Sequence, residues 1–153
     1  YMDQNDYEII YQIAICYKEL YMYNEAREYL GLFLDAYPND YIGHFLMGEL
    51  YYLSKNFTLA EEFFNTALSL NPQDYTSLYF IGMCYFEQSD HVNAAKYFKK
   101  SIKIEPDFVN SHFQLAIAYN ILGKTREVKK ELNIIYMLDQ ALHADLTNIL
   151  NGN

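Results

Sequence analysis

At 153 residues the chain is long enough for one sizeable core; it is 52% hydrophobic and 18% aromatic, with 17 tyrosines and no tryptophan. Eleven Lys and Arg against 20 Asp and Glu give a formal net charge of −9, which repels a phosphate backbone and argues against general nucleic-acid binding. No apolar run is long enough to cross a membrane and no signal peptide is legible, so membrane insertion is not expected.

The opening residues, YMDQND, overlay on the end of a repeating unit: Asn5, Asp6 and Tyr7 match Asn39, Asp40 and Tyr41. Residues 1–6 therefore read as the tail of a preceding repeat. From there Pro38, Pro72 and Pro106, each 34 residues after the last, divide the chain into windows 7–40, 41–74, 75–108 and 109–142. A fixed period of this size marks a solenoid, whose core is built in slices between neighbouring repeats.

The same places in each window carry the same kinds of residue. The eighth holds Ala14, Gly48, Gly82 and Ala116, all small enough for two helices to approach closely. The eleventh holds Tyr17, Tyr51, Tyr85 and Tyr119, read as a core series. The twentieth holds Ala26, Ala60, Ala94 and Val128, and the twenty-fourth Leu30, Phe64, Phe98 and Leu132. Within a window, apolar residues fall at three- and four-residue spacings in two runs, such as Met47, Leu50, Tyr51 and then Leu59, Phe63, Phe64, Ala67, Leu68. That predicts two antiparallel helices per window, each with one apolar stripe to cover.

Asp6, Asp40 and Asp74 stand where a carboxylate can cap the first helix of a pair, and Thr58 with Glu61 reads as a capping box opening a second helix. The prolines, lacking an amide, then stop the second helices. The fourth window has Gln140 for the proline, so 109–140 reads as a degenerate repeat. In 141–153, Leu142, Leu146, Ile149 and Leu150 make one face of a capping helix.

This pattern resembles the tetratricopeptide repeat, most specifically in the second and third windows; the first has Tyr21 where the family's turn usually has glycine. The resemblance implies an all-α, right-handed superhelical solenoid of antiparallel helix pairs with a C-terminal capping helix. It also implies a non-catalytic protein-interaction module, similar in outline to bacterial chaperones that hold secretion substrates. In that fold the second, fifth, ninth and twelfth places of the first helices line a concave groove. Carried over residue by residue, these places are Glu8, Tyr11, Ile15 and Lys18 in the first window and Ile42, Phe45, Glu49 and Tyr52 in the second. The third contributes Thr76, Tyr79, Met83 and Phe86, and the fourth Asn110, Phe113, Ile117 and Asn120.

The fifth places are all aromatic: Tyr11, Phe45, Tyr79 and Phe113. With the core assigned to the eleventh-place tyrosines, these rings are surplus to packing and suit an apolar or amphipathic segment of a partner polypeptide. The competing explanation is that they close gaps between repeats. Met83 would adapt to irregular shape, and Glu49 or Lys18 would set orientation. One subclass of the family grips a carboxylate-ended chaperone tail with lysine and asparagine at the fifth and ninth places. Here those places hold Tyr11 and Ile15, or Phe45 and Glu49, so that role is not expected.

Other motifs have plainer explanations. Residues 118–125, AYNILGKT, end like a phosphate-binding loop but carry Ala118 where glycine is needed and follow a helix rather than a strand. His44, His91, His112 and His143 show no paired ligand spacing; His44 and His112, both at fourth places, read as packing residues, and no metal or other cofactor is expected. No serine or cysteine has a histidine placed to activate it, and the carboxylates are scattered, so no catalytic residue is assigned. Lys99, Lys100 and Lys103 read as a solvated complement to the carbonyl end of a second helix. Asn56-Phe57-Thr58 matches a glycosylation acceptor but reads as a helix turn followed by a cap. Cys16 and Cys84 share the tenth place as small core fillers, about 20 Å apart if helices pack about 10 Å apart, beyond disulfide reach. Unpaired thiols point to a cytoplasmic location. Two alternatives remain open on sequence: a homo-oligomerisation module, or an accessory domain of a larger enzyme.

Overall fold

The computed structural model of the chain describes residues 4–152, with side chains from Asp6 onward. Among them the regular structure is all helical: α1 (Gln4–Glu19), α2 (Tyr23–Ala36), α3 (Tyr41–Leu53), α4 (Phe57–Leu70), α5 (Tyr75–Glu87), α6 (His91–Ile104), α7 (Val109–Ile121), α8 (Thr125–Leu138) and α9 (Gln140–Leu150). Each 34-residue window holds one antiparallel pair. The pairs fall into two compact units, Tyr1–Pro72 with α1–α4 and Gln73–Asn153 with α5–α9. Of the supposed tail of a preceding repeat, residues 1–3 lie outside the described residues, and Gln4 to Asp6 belong to the first turn of α1. Asp6 is therefore a first-turn acid rather than a cap.

The small eighth place does what its chemistry demands. A Cβ on Gly48 would stand 2.8 Å from the Phe64 ring, and one on Gly82 would stand 2.6 Å from the Phe98 ring. Both rings are completely buried, as are Ala14, Ala60, Ala94 and Ala116. Each pair thus closes by seating the large twenty-fourth-place side chain of its second helix against a residue with little or no side chain on its first.

The eleventh-place tyrosines are not one core series, since only Tyr119 is buried. Tyr17, Tyr51 and Tyr85 are half-buried and stack on the twenty-third-place ring of the same pair: Tyr17 on Tyr29 at 5.3 Å, Tyr51 on Phe63 at 5.4 Å, Tyr85 on Tyr97 at 5.4 Å between centroids. Offset stacking lets each ring shed water from one face while its hydroxyl end stays wet. In the fourth pair the twenty-third place is Glu131, and Tyr119 has no ring there to stack on.

Between the helices of each pair runs a turn at whose fifteenth place Tyr21, Lys55, Ser89 and Gly123 all take positive φ, from 60° to 70°. Only the last is glycine; the other three carry the strain of a left-handed residue so that a three-residue reversal can be made. Caps depart from expectation in one respect. Asp40 accepts from the Gly43 amide at 2.6 Å and Asp74 from the Thr76 amide at 3.1 Å, as expected. At α4, however, the cap is Asn56, accepting from the Leu59 amide at 3.3 Å, which places Thr58 inside the first turn. Asp90 and Asp139 cap α6 and α9 in the same way, the latter ending α8 without a proline.

Buried polar groups are used to tie the second unit together. Ser77, Ser101 and Ser111 are all fully buried. Ser111 Oγ donates to Ser101 Oγ at 2.9 Å, Ser101 Oγ donates to the Tyr75 carbonyl at 2.9 Å, and Ser77 Oγ donates to Asp74 at 2.5 Å. α5, α6 and α7 are thereby linked through groups that cannot reach water, a arrangement that penalises loss of any one member. The two thiols differ from the sequence reading: Cys84 is buried, but Cys16 is exposed, and neither forms a disulfide.

Candidate functional site

The sixteen residues assigned to a binding face lie on α1 and α3 in the first unit and on α5 and α7 in the second. In the first unit, Tyr11 is half-buried and leans on the buried Phe33 of α2 at 5.0 Å, with Ile15 packed on the same cluster. Phe45 leans on the fully buried Phe64 at 5.5 Å, and Tyr52 on Phe57 at 5.7 Å. Tyr11 and Phe45 are therefore neither free nor sealed: each touches a core ring and is partly exposed.

Lys18 and Glu49, each expected to orient a guest, instead face each other. Their Nζ and Oε2 atoms stand 2.9 Å apart with side chains only 20% and 23% exposed. The pair links α1 to α3 across 31 residues of chain, and Lys18 Nζ also stands 3.8 Å from Glu19 Oε1. Burial, then Asp40, Glu8 and Glu49, push the Tyr11 phenol up, which keeps it a neutral hydrogen-bond donor.

In the second unit Tyr79, Met83 and Phe86 pack on one buried cluster containing Ala95, Phe98 and Leu115. Tyr79 touches Phe98 at 5.8 Å and Phe108 at 5.4 Å, and Phe86 meets His91 edge-on at 4.9 Å. Burial pushes the Tyr79 phenol up against the opposing hydrogen bond from Gln114. Phe113 and Ile117 belong to a different cluster. They pack against Ala116, Ile135 and Leu146, so α9 draws the fourth fifth-place ring into the end of the stack. Asn120 is exposed at the end of α7.

The histidines confirm their packing role with an added charge. His44 Nε2 stands 2.8 Å from the Pro38 carbonyl and its ring lies over Phe63. His112, also 2.8 Å from a proline carbonyl, that of Pro106, has its other nitrogen 2.7 Å from Glu131 Oε2. Burial alone would lower its pKa, but the hydrogen bonds to Glu131 and Pro106 outweigh it and the net direction is upward. Among the described residues no group of three metal-ligating side chains converges, and no helix is long and apolar enough to cross a membrane.

Sequence patterns of the tetratricopeptide repeat match residues 8–40, 41–74, 75–108 and 97–130. The chain belongs to the tetratricopeptide repeat family. Three matches coincide with the windows set by the prolines, while the fourth is displaced towards α6 and α7, where the repeat is degenerate. No curated protein matches the sequence. Among solved structures, a crystal structure of MamA is similar with a TM-score of 0.82 at 21% identity, covering 91% of this chain and 81% of that one. MamA from residue 41 to its end, from Desulfovibrio magneticus RS-1, gives 0.80 at 19% identity over 90% and 78%. The first tetratricopeptide domain of Spaghetti (RPAP3), bound to the HSP90 peptide SRMEEVD, gives 0.73 at 20% identity over 80% and 97%. These likenesses are of fold. Tetratricopeptide packing accounts for the seated glycines described above.

Proposed function

We propose that this tetratricopeptide chain is a non-catalytic interaction module that holds an apolar or amphipathic segment of another polypeptide against the first helices of its pairs. The observation that carries the reading is the partial exposure of the fifth-place rings: Tyr11 and Phe45 in the first unit and Tyr79 in the second each rest on a buried ring while part of their surface stays exposed. A braced ring loses little conformational entropy when a guest covers it, which is the property of an interaction hot spot. Lys18 and Glu49 hold each other, so neither has to be stripped of water on its own when a guest covers them. The peptide carried by the RPAP3 domain is an example of a fold relative holding a short segment. The lysine and asparagine clamp is absent here, so the guest is not expected to be a carboxylate-ended tail.

The test is capture of partners by the immobilised chain with Phe45→Ala/Tyr79→Ala as control. Capture should be lost while the helical circular dichroism persists; persistence of capture would remove the ladder from the site, and collapse of the helical signal would assign the rings to the core. A second reading, self-association, has its own support on α8 and α9. There Met137 is 81% exposed and Tyr136, Ile134 and Ile149 lie 39–53% exposed. Light scattering over a dilution series decides it: a monomer at every concentration removes the reading. An exposed free Cys16 suits a reducing, cytoplasmic compartment.

A further inference from the structure

The net charge of −9 is unevenly divided. Up to Pro72 there are three basic and eleven acidic residues, a net of −8, whereas from Gln73 on there are eight and nine, a net of −1. Five of those eight basic residues converge. A hollow of about 400 Å³ on the α6 surface is lined by Lys96, Lys99, Lys100 and Lys103, with Lys124 from the turn before α8. Its floor is Val92, Ala95 and Tyr119. A second hollow of about 410 Å³, floored by Leu78 and Ile104, shares Lys100 and Lys103.

Attraction to the helix dipole does not explain this grouping, because only Lys103 stands in the last turn of α6. Nor are the ammonium groups spent on carboxylates. Among the described residues none of the five lies within 4.0 Å of one. Lys100 rests over Tyr97 at 4.3 Å and Lys124 over Tyr119 at 5.6 Å, which orders their stems and keeps the charges at the surface. Val92, 65% exposed, leaves apolar surface beside them.

We propose that this lysine-lined face of α6 is a docking surface for an acidic, extended segment of another polypeptide, separate from the aromatic ladder on the first helices. The spacing suits it. Lys96 to Lys100 and Lys99 to Lys103 are each four residues, about 6 Å along a helix. Alternate side chains of an extended chain recur every 6.6 Å or so, so glutamates at every second position meet successive lysines. Their methylenes would lie on Val92 and Ala95 and their other faces in water. A short acidic peptide reads only the lysines within a Debye length of about 10 Å.

The experiment uses the full chain and fluorescence anisotropy with a labelled peptide of about eight residues alternating glutamate and serine. Its glutamine counterpart, an oligothymidylate and phosphatidylserine vesicles are the comparison probes. The glutamate peptide should bind at low salt, and Lys96→Gln/Lys99→Gln/Lys103→Gln should weaken it about tenfold or more with unchanged circular dichroism. Raising salt from about 50 to about 300 mM should weaken it comparably. Phe45→Ala/Tyr79→Ala should leave it unaltered, which separates this surface from the ladder. No binding, equal binding of the glutamine peptide, indifference to the lysine substitutions, or tighter binding of the oligothymidylate or the vesicles would each overturn the proposal.

Discussion

Gly82 offers the sharpest test of how the helix pairs close. Replacing it with alanine adds one methyl group that would stand 2.6 Å from Phe98 Cε1 and 2.7 Å from Cδ1, so the ring must retreat about 0.8 Å to reach an ordinary 3.4 Å contact. Phe98 is fully buried, so its retreat has to displace its core neighbours. Overpacking of this kind costs about 1–3 kcal/mol, against a helix-propensity gain of about 1 kcal/mol for alanine over glycine. The net expectation is a loss of up to about 2 kcal/mol. Gly31, inside α2 with nothing within 4 Å of the added carbon, supplies the internal control, because there alanine collects only the propensity gain. Urea titration followed by far-ultraviolet circular dichroism measures both. Gly82→Ala should lower the midpoint and Gly31→Ala raise it with similar slopes. If the two variants shift the midpoint in the same upward direction, close approach at the eighth place is not what the small residue is for.

Two further outcomes follow from local geometry. Asn56→Ala should cost about 1 kcal/mol by orphaning the Leu59 amide, while Thr58→Ala, the obvious cap in sequence, should stay within about 0.5 kcal/mol; the same titration separates them. His112 should make stability fall with rising pH. Its folded-state pKa is raised above the ordinary value near 6.5, so its contribution is complete below that value and is lost as pH climbs through the folded-state pKa. Glu131→Gln should flatten that part of the stability-versus-pH curve, measured by thermal melts between about pH 5.5 and 8.5; an unchanged curve would remove the pair as its source.

The helix pairs were legible because their constraints are local. A small residue, a large one and an alanine must recur at set distances for two helices to seat, and that recurrence survives in Gly48 with Phe64 and Gly82 with Phe98. What was not legible depends on contacts the period does not encode. Asn56 and Thr58 are both capping residues two positions apart, and only the backbone decides between them. The stacking of the eleventh on the twenty-third place was visible as aromatics in three windows, but its exposure was not, so those tyrosines were assigned to the core. Lys18 and Glu49 sit at different places of adjacent windows, and Lys124 lies 21 residues beyond Lys103. Their meetings are products of stacking, which is why two orienting charges become one ion pair and a supposed dipole complement becomes part of a five-lysine cluster.

The fourth place shows how one framework yields two chemistries. His44 and His112 occupy the same position and each approaches the proline carbonyl six residues back, so the backbone treats them alike. Their difference arises across the pair, at the twenty-third place. Where that place is Phe63, the His44 ring gains a stacking partner, and its Nδ1 is left buried without a hydrogen bond. Where it is Glu131, the nitrogen facing it finds a carboxylate, the imidazole is favoured in its charged form, and Tyr119 gives up the ring stack made by its three equivalents. A single exchange at one repeat place therefore converts an apolar seam into a buried charged one without altering the helix pairing. That is the sense in which a repeat can degenerate in sequence towards the end of the array while its geometry is kept: the seated positions on each side of the pair remain small and large, and the variation is spent on the seam beside them.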